Sequence, residues 1–165
     1  MRSSALAKDW TVYIAGTRLS GGRAAVESDS VPTSSTTVRV RYAETDQMGV
    51  VYYANYYVWM EVARAGFCDF VGIRYKTMEA EDGILLAVTE SSCRHLSPAR
   101  YDETVTIETR LAEASPRAVS FEYVMTCEGR KLATGRTRHI FLNRLFRPVR
   151  LPEKYRALFG MGATE

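Results

Sequence analysis

Residues 53–71 read YANYYVWMEVARAGFCDFV, and the fold turns on that stretch. Tyr53, Tyr56, Tyr57, Met60, Ala63, Phe67 and Val71 recur at helical spacing. Glu61, Arg64 and Asp69 fall largely on other faces, and Gly72 is placed to end a helix. The apolar stripe is broad, so something must cover it widely. A sheet wrapped around the helix would do so.

Outward from the helix the period changes to two. Over 37–42, Val38, Val40 and Tyr42 alternate with Arg39 and Arg41, the mark of a half-buried strand. Downstream, 83–96 is long and apolar at its start. The stretch 104–112 sets Val105, Ile107, Thr109 and Leu111 against Thr106, Glu108 and Arg110. Val119, Phe121, Tyr123 and Met125 do the same over 118–127, and 131–142 is the last strand. Turn residues separate these runs at Ser97–Pro98, Ser115–Pro116 and Glu128–Gly129. Such short joints require antiparallel neighbours. The order predicts an α+β fold, an antiparallel five-stranded sheet wrapped around one long central helix. Open sheet edges invite pairing of copies.

The composition agrees with one globular domain. The chain has 165 residues, 46% hydrophobic and 25% charged, with a net charge of +3. That charge is too mild to indicate nucleic acid. Arg136, Arg138, Arg144, Arg147 and Arg150 form a basic run, either a surface stripe for a phosphorylated small molecule or scattered solvated arginines. Cys68, Cys93 and Cys127 are too few and too widely spaced for a disulfide framework or a metal site; they read as reduced thiols of a cytoplasmic protein. No apolar run has the length of a membrane span. Residues 1–36 are rich in Ser, Thr, Gly and Ala, and are expected to be a flexible or weakly structured extension. Their basic residues faintly resemble a transit peptide. The domain is then expected over 37–152, with a C-terminal tail at 153–165.

The chemistry concentrates between the first strand and the helix, where residues 42–53 read YAETDQMGVVYY. A helix start presents unpaired N–H groups and a partial positive charge, which can polarise a carbonyl oxygen. A nearby carboxylate, Asp46, can attack the carbonyl carbon or deprotonate a water that does. Gly49 would let the backbone turn between them. The plain structural use of Asp46, capping the loop or the helix, fits the same spacing.

Tyr42, Thr45, Asp46, Gly49, Val50, Val51, Tyr52, Tyr53 and Tyr56, followed by WMEVAR at 59–64, resemble the signature of hotdog-fold acyl-CoA thioesterases. The branch is that of 4-hydroxybenzoyl-CoA thioesterase and the YbgC-type enzymes. The likeness runs from about Thr37 to Pro152 and includes Ser97, Pro98, Ala99, Arg100 and Asp102. It implies that Asp46 is the catalytic nucleophile or general base. It implies that the Tyr53 backbone N–H polarises the thioester carbonyl, and that Tyr42 stands near the site. Where YbgC-type enzymes often carry a histidine, this chain has Tyr53, as in the 4-hydroxybenzoyl-CoA type; a backbone donor survives the change, an imidazole role does not. Gly49, Val50, Val51, Tyr52 and His95 are the expected substrate-binding residues. The resemblance further implies an acyl-CoA substrate, no metal or other cofactor, and a homotetramer built from hotdog dimers. The alternatives are a carrier-protein thioesterase, a non-catalytic acyl-thioester binding module and a hotdog dehydratase.

Other candidates have plainer readings. Glu61 is expected to pair with Arg64 or with a neighbouring chain. Cys93 and His95 share a strand face, but a Cys–His hydrolase pair would lack its third, orienting group. His139 and His95 have no metal-ligand spacing. The aromatics of 52–59 are core and pocket wall rather than a base-stacking platform. No serine sits in a nucleophile-elbow context.

Overall fold

Four long strands follow the helix, and one precedes it. The computed structural model describes residues 32–161, together with the backbone of a short antiparallel pair, β1 (Val12–Ile14) and β2 (Thr17–Leu19). Residues 1–11, 15–16 and 20–31 of the expected extension lie outside the described residues. The main sheet comprises β3 (Thr33–Arg39), β4 (Leu85–His95), β5 (Thr104–Ala114), β6 (Ala118–Cys127) and β7 (Arg130–Leu142). Its order is β3-β5-β6-β7-β4, with every neighbouring pair antiparallel. The long helix α1 runs over Ala54–Phe70.

One face of the sheet is apolar and receives α1. Val105, Ile107, Phe121, Tyr123, Met125 and Phe141 are buried there, as are Tyr56, Trp59, Met60, Ala63 and Phe67 of the helix. Phe67 meets Phe121 edge-on at 5.4 Å between ring centroids. A side chain at Gly135 would put its Cβ 2.3 Å from Met60 Sδ, so glycine is what lets α1 settle this closely on β7.

Five expectations need correcting. The first strand begins at Thr33, so residues 33–36 belong to the sheet rather than to an extension. Thr and Ser suit an edge strand whose outer side faces water, which is why the stretch reads like a linker. The strand also ends at Arg39, and Tyr42 opens a 3-10 turn, Tyr42–Glu44. Further helices join α1: α2 at Tyr75–Ala80 and α3 at Glu153–Arg156. The segment after 152 is no tail, because Tyr155 and Phe159, four residues apart, are buried, with Phe159 against Phe121 and Phe141. Finally, Glu61 and Arg64 do not pair. Arg64 turns into the protein, and its Nε donates to the Tyr75 hydroxyl at 3.3 Å.

Candidate active site

The 44–51 loop is built by one buried carboxylate that the sequence reading passed over. Glu44 accepts the Arg41 backbone N–H at 2.8 Å, the Arg41 guanidinium at 3.1 Å and the Trp59 indole N–H at 3.1 Å. Burial opposes its ionisation, but these hydrogen bonds outweigh that and hold its pKa below the ordinary value. Its carbonyl accepts the Tyr52 N–H at 2.9 Å and the Asn55 amide at 2.8 Å. Glu44 thereby ties the loop's entry to the start of α1. The available signal was its place fifteen residues before Trp59, which only the fold makes meaningful.

Asp46 follows two residues later in a tight turn. Its backbone N–H donates to Val50 O at 2.9 Å, and Gly49 donates back to Asp46 O at 2.9 Å. Gly49 sits at φ +71°, a left-handed conformation that costs glycine little. Asp46 Oδ1 accepts the Met48 N–H at 2.8 Å, an Asx turn. The capping use therefore occurs, and it occupies one carboxylate oxygen. The side chain also lines a cleft of about 440 Å³ with Met48, Val50, Val51, Tyr52 and Tyr53.

The far wall of the cleft comes from Tyr56, His95, Leu96, Ser97 and Pro98. Ala99 knits the two walls: its carbonyl accepts the Val51 N–H at 2.8 Å, and its N–H donates to the Tyr56 hydroxyl at 3.2 Å. The His95 ring stands edge-on to Tyr56, 4.6 Å between centroids. Tyr53 caps α1. The N–H groups of Tyr53 and Ala54 find no acceptor among the described residues, as expected for the first turn of a helix. Asp46 and the capping residue of the helix, Tyr53, thus line one cleft.

Of the residues singled out from sequence, Asp46, Val50, Val51, Tyr52, Tyr53 and His95 line this cleft. Gly49 shapes the loop without lining it. Tyr42 does not join them: its ring is 78% exposed and stands edge-on to Tyr101 at 5.6 Å. The 3-10 turn aims it away. Met48, Leu96, Ser97 and Pro98 line the cleft but were not anticipated as site residues, whereas Tyr56 lines it as pocket wall. Burial pushes the Cys93 thiol up, which disfavours the thiolate. The three cysteines are free thiols. Among the described residues no three His, Cys, Asp or Glu side chains gather to hold a metal, and no helix is long and apolar enough to cross a membrane.

Sheet order, central helix and solved neighbours define this as a hotdog fold. The chain belongs to the Thioesterase-like superfamily, whose sequence pattern matches residues 40–159. It is 46% identical over 72 residues to the Bacillus subtilis protein YneP, an alignment spanning 44% of this chain and about half, 51%, of that one. Among solved structures it resembles TT1821 of Thermus thermophilus, with 43% identity, a TM-score of 0.74, and coverage of 81% of this chain and 100% of that one. It also resembles the DHNA-CoA thioesterase of Staphylococcus aureus, with 32% identity, a TM-score of 0.75, and coverage of 78% and 89%.

Proposed function

We propose that the protein hydrolyses an acyl-CoA thioester to a free carboxylic acid and CoA. The observation that carries this reading is the shared cleft of the Asp46 carboxylate and the helix start at Tyr53. The thioester carbonyl oxygen docks against the Tyr53 N–H, which polarises the carbonyl and stabilises the oxyanion. Asp46 either attacks the carbonyl carbon or takes a proton from a water that attacks. The carbon–sulfur bond breaks and CoA leaves as a thiolate, which takes up a proton. On the direct route, water then hydrolyses the Asp46 anhydride and restores the carboxylate. This chemistry needs no metal or redox group, and CoA is part of the substrate. The name of the Staphylococcus aureus neighbour supports a CoA ester.

The same reading makes the protein a homo-oligomer. The outer edge of β4, eleven residues long, has no strand beside it among the described residues, and Val88 on it is exposed. Val58 and Val62, one turn apart on α1, are exposed too. An open, long, partly apolar edge favours pairing with a second copy, and two such dimers would give the tetramer. The free thiols support a reducing compartment, the cytoplasm.

The test is thiol release from short, long and aromatic acyl-CoAs, with Asp46→Asn in parallel. Release by the wild type and not by the variant supports the reading. Equal release by both would remove Asp46 from the chemistry. No release from any CoA ester would move the proposal to a carrier-protein thioester, then to a binding module without catalysis. Mass in solution tests the assembly, with a monomer as the contrary result.

A further inference from the structure

The basic run of 136–150 divides in the folded chain. Arg136 is engaged by Glu113 at 2.7 Å and by Glu122 at 3.9 Å. The later arginines have another setting. After β7 the chain makes a tight turn at 143–147 and returns, pairing Leu142 with Pro148. Asn143 builds this turn. Its Oδ1 accepts the N–H groups of Leu145 at 2.9 Å and Arg147 at 3.0 Å. Its carbonyl accepts the Phe146 N–H at 2.9 Å, and its own N–H donates to Arg147 O at 3.0 Å.

The turn presents Leu145 and Phe146 to solvent, 79% and 73% exposed, the first and fourth most exposed large hydrophobic residues among those described. Phe146 sits at φ +55°, a left-handed conformation that glycine adopts freely and an aromatic residue adopts at a cost. Its ring stacks on no other aromatic side chain among the described residues. The sequence thus keeps a bulky ring where folding gains little from it.

Charge surrounds the pair. Residues 143–152 read NRLFRPVRLP, with three arginines and no acid. Arg144 lies over Gly83 and donates to Ala80 O. Arg147 and Arg150 are exposed, and neither forms an ion pair among the described residues. The 115–117 turn runs alongside, joined by Leu151 N–H to Pro116 O at 2.8 Å, and brings exposed Arg117, also without an ion pair. The nearby Asp82 is already taken by Lys154 and Tyr155.

We propose that this turn seats the protein on an anionic lipid surface, with Leu145 and Phe146 in the interfacial layer and the arginines on lipid headgroups. Three observations favour a bilayer over another protein. A convex two-residue tip cannot supply the roughly 800 Å² per partner of a stable protein interface. A fluid interface takes projecting side chains singly, with cations beside them. The backbone donors of Asn143, Leu145, Phe146 and Arg147 are already satisfied within the turn, so entering a drier layer strands none of them. The inference rests on no part of the thioesterase reading.

The experiment is flotation of the full chain with phosphatidylcholine vesicles, with and without phosphatidylglycerol. Binding is expected to the anionic vesicles and to weaken in high salt. Leu145→Ser with Phe146→Ser should lower the partition at least tenfold, and Arg147→Gln or Arg150→Gln about fivefold each. Phe146→Gly separates docking from folding: it relieves the left-handed strain, so Tm should hold or rise while vesicle binding falls. Absence of wild-type binding to anionic vesicles overturns the proposal. So does equal binding by the serine variant. A smaller oligomer in that variant overturns it as well, by making the tip a contact between copies. Capture of an acidic protein without any vesicle binding does the same.

Discussion

Two carboxylates stand two residues apart in the same loop, and the fold puts them to opposite uses. Glu44 is buried, ringed by donors and held ionised. Asp46 is half-buried, gives one oxygen to the Met48 N–H and faces the cleft. A carboxylate whose acceptor sites are filled by its own chain builds structure. One that keeps a free oxygen beside unpaired N–H groups is available for chemistry. The contrast predicts that Glu44 is read in stability and Asp46 in rate.

The largest expected effect breaks the pair apart on activity. Asp46→Asn keeps the size and the Asx turn but removes the charge, so turnover should fall by about 10²–10⁴-fold. Its Tm should stay near that of the wild type, and thiol release beside a thermal melt reads both. Glu44→Ala should do the reverse. It leaves the Arg41 N–H and the Trp59 indole without their acceptor and should cost about 3 kcal/mol in denaturant unfolding. Because the folded pKa of Glu44 is lowered, its stabilisation is present above its unfolded pKa, near 4.5, and is lost as pH falls through the folded value. A variant with unchanged stability would dissolve the contrast.

A third prediction sets the loop against the core. His139 is fully buried, its Nε2 2.8 Å from Thr137 Oγ1 and its Nδ1 without a partner. Burial, and then the Arg64 guanidinium, push its pKa down to about 3. The neutral ring is therefore favoured in the fold. Stability should decline as pH falls from about 6.5 toward 3, by at most ~1.4 kcal/mol per pH unit. His139→Gln should flatten that slope between pH 7 and 5 in urea titrations; an unchanged slope would place the sensitivity elsewhere. The smallest effect belongs to Tyr42. Its ring leans on Tyr101 outside the cleft, so Tyr42→Phe should change kcat/KM by less than about twofold. A large loss would return it to the site.

Much of this architecture was legible because it rests on period. The 3.6-residue stripe of 53–71 and the alternation of 104–112 and 118–127 report which side chains face the core. Asp46 and Tyr53 were singled out for another reason: they sit in the contiguous 42–64 stretch that resembles the thioesterase signature, and the fold puts both on one cleft. What depended on remote partners was not legible. Thr33–Thr36 resemble a linker until β5 lies beside them. Tyr155 and Phe159 resemble a tail until Asp82 takes the Tyr155 hydroxyl and Phe121 and Phe141 meet Phe159.

By itself, then, the sequence determined the strand–helix–strand order, the carboxylate before the helix and the resemblance to thioesterases. Each is encoded in residues close together in the chain, where the backbone alone sets spacing and face. Only the tertiary structure decided that Glu44 anchors the loop through Trp59, that Tyr42 turns outward and that Ala99 joins the cleft walls. It likewise turned Arg64 inward and left Leu145 and Phe146 outside. These outcomes depend on which donors, acceptors and apolar surfaces arrive from distant positions, and that is settled when the sheet closes over the helix.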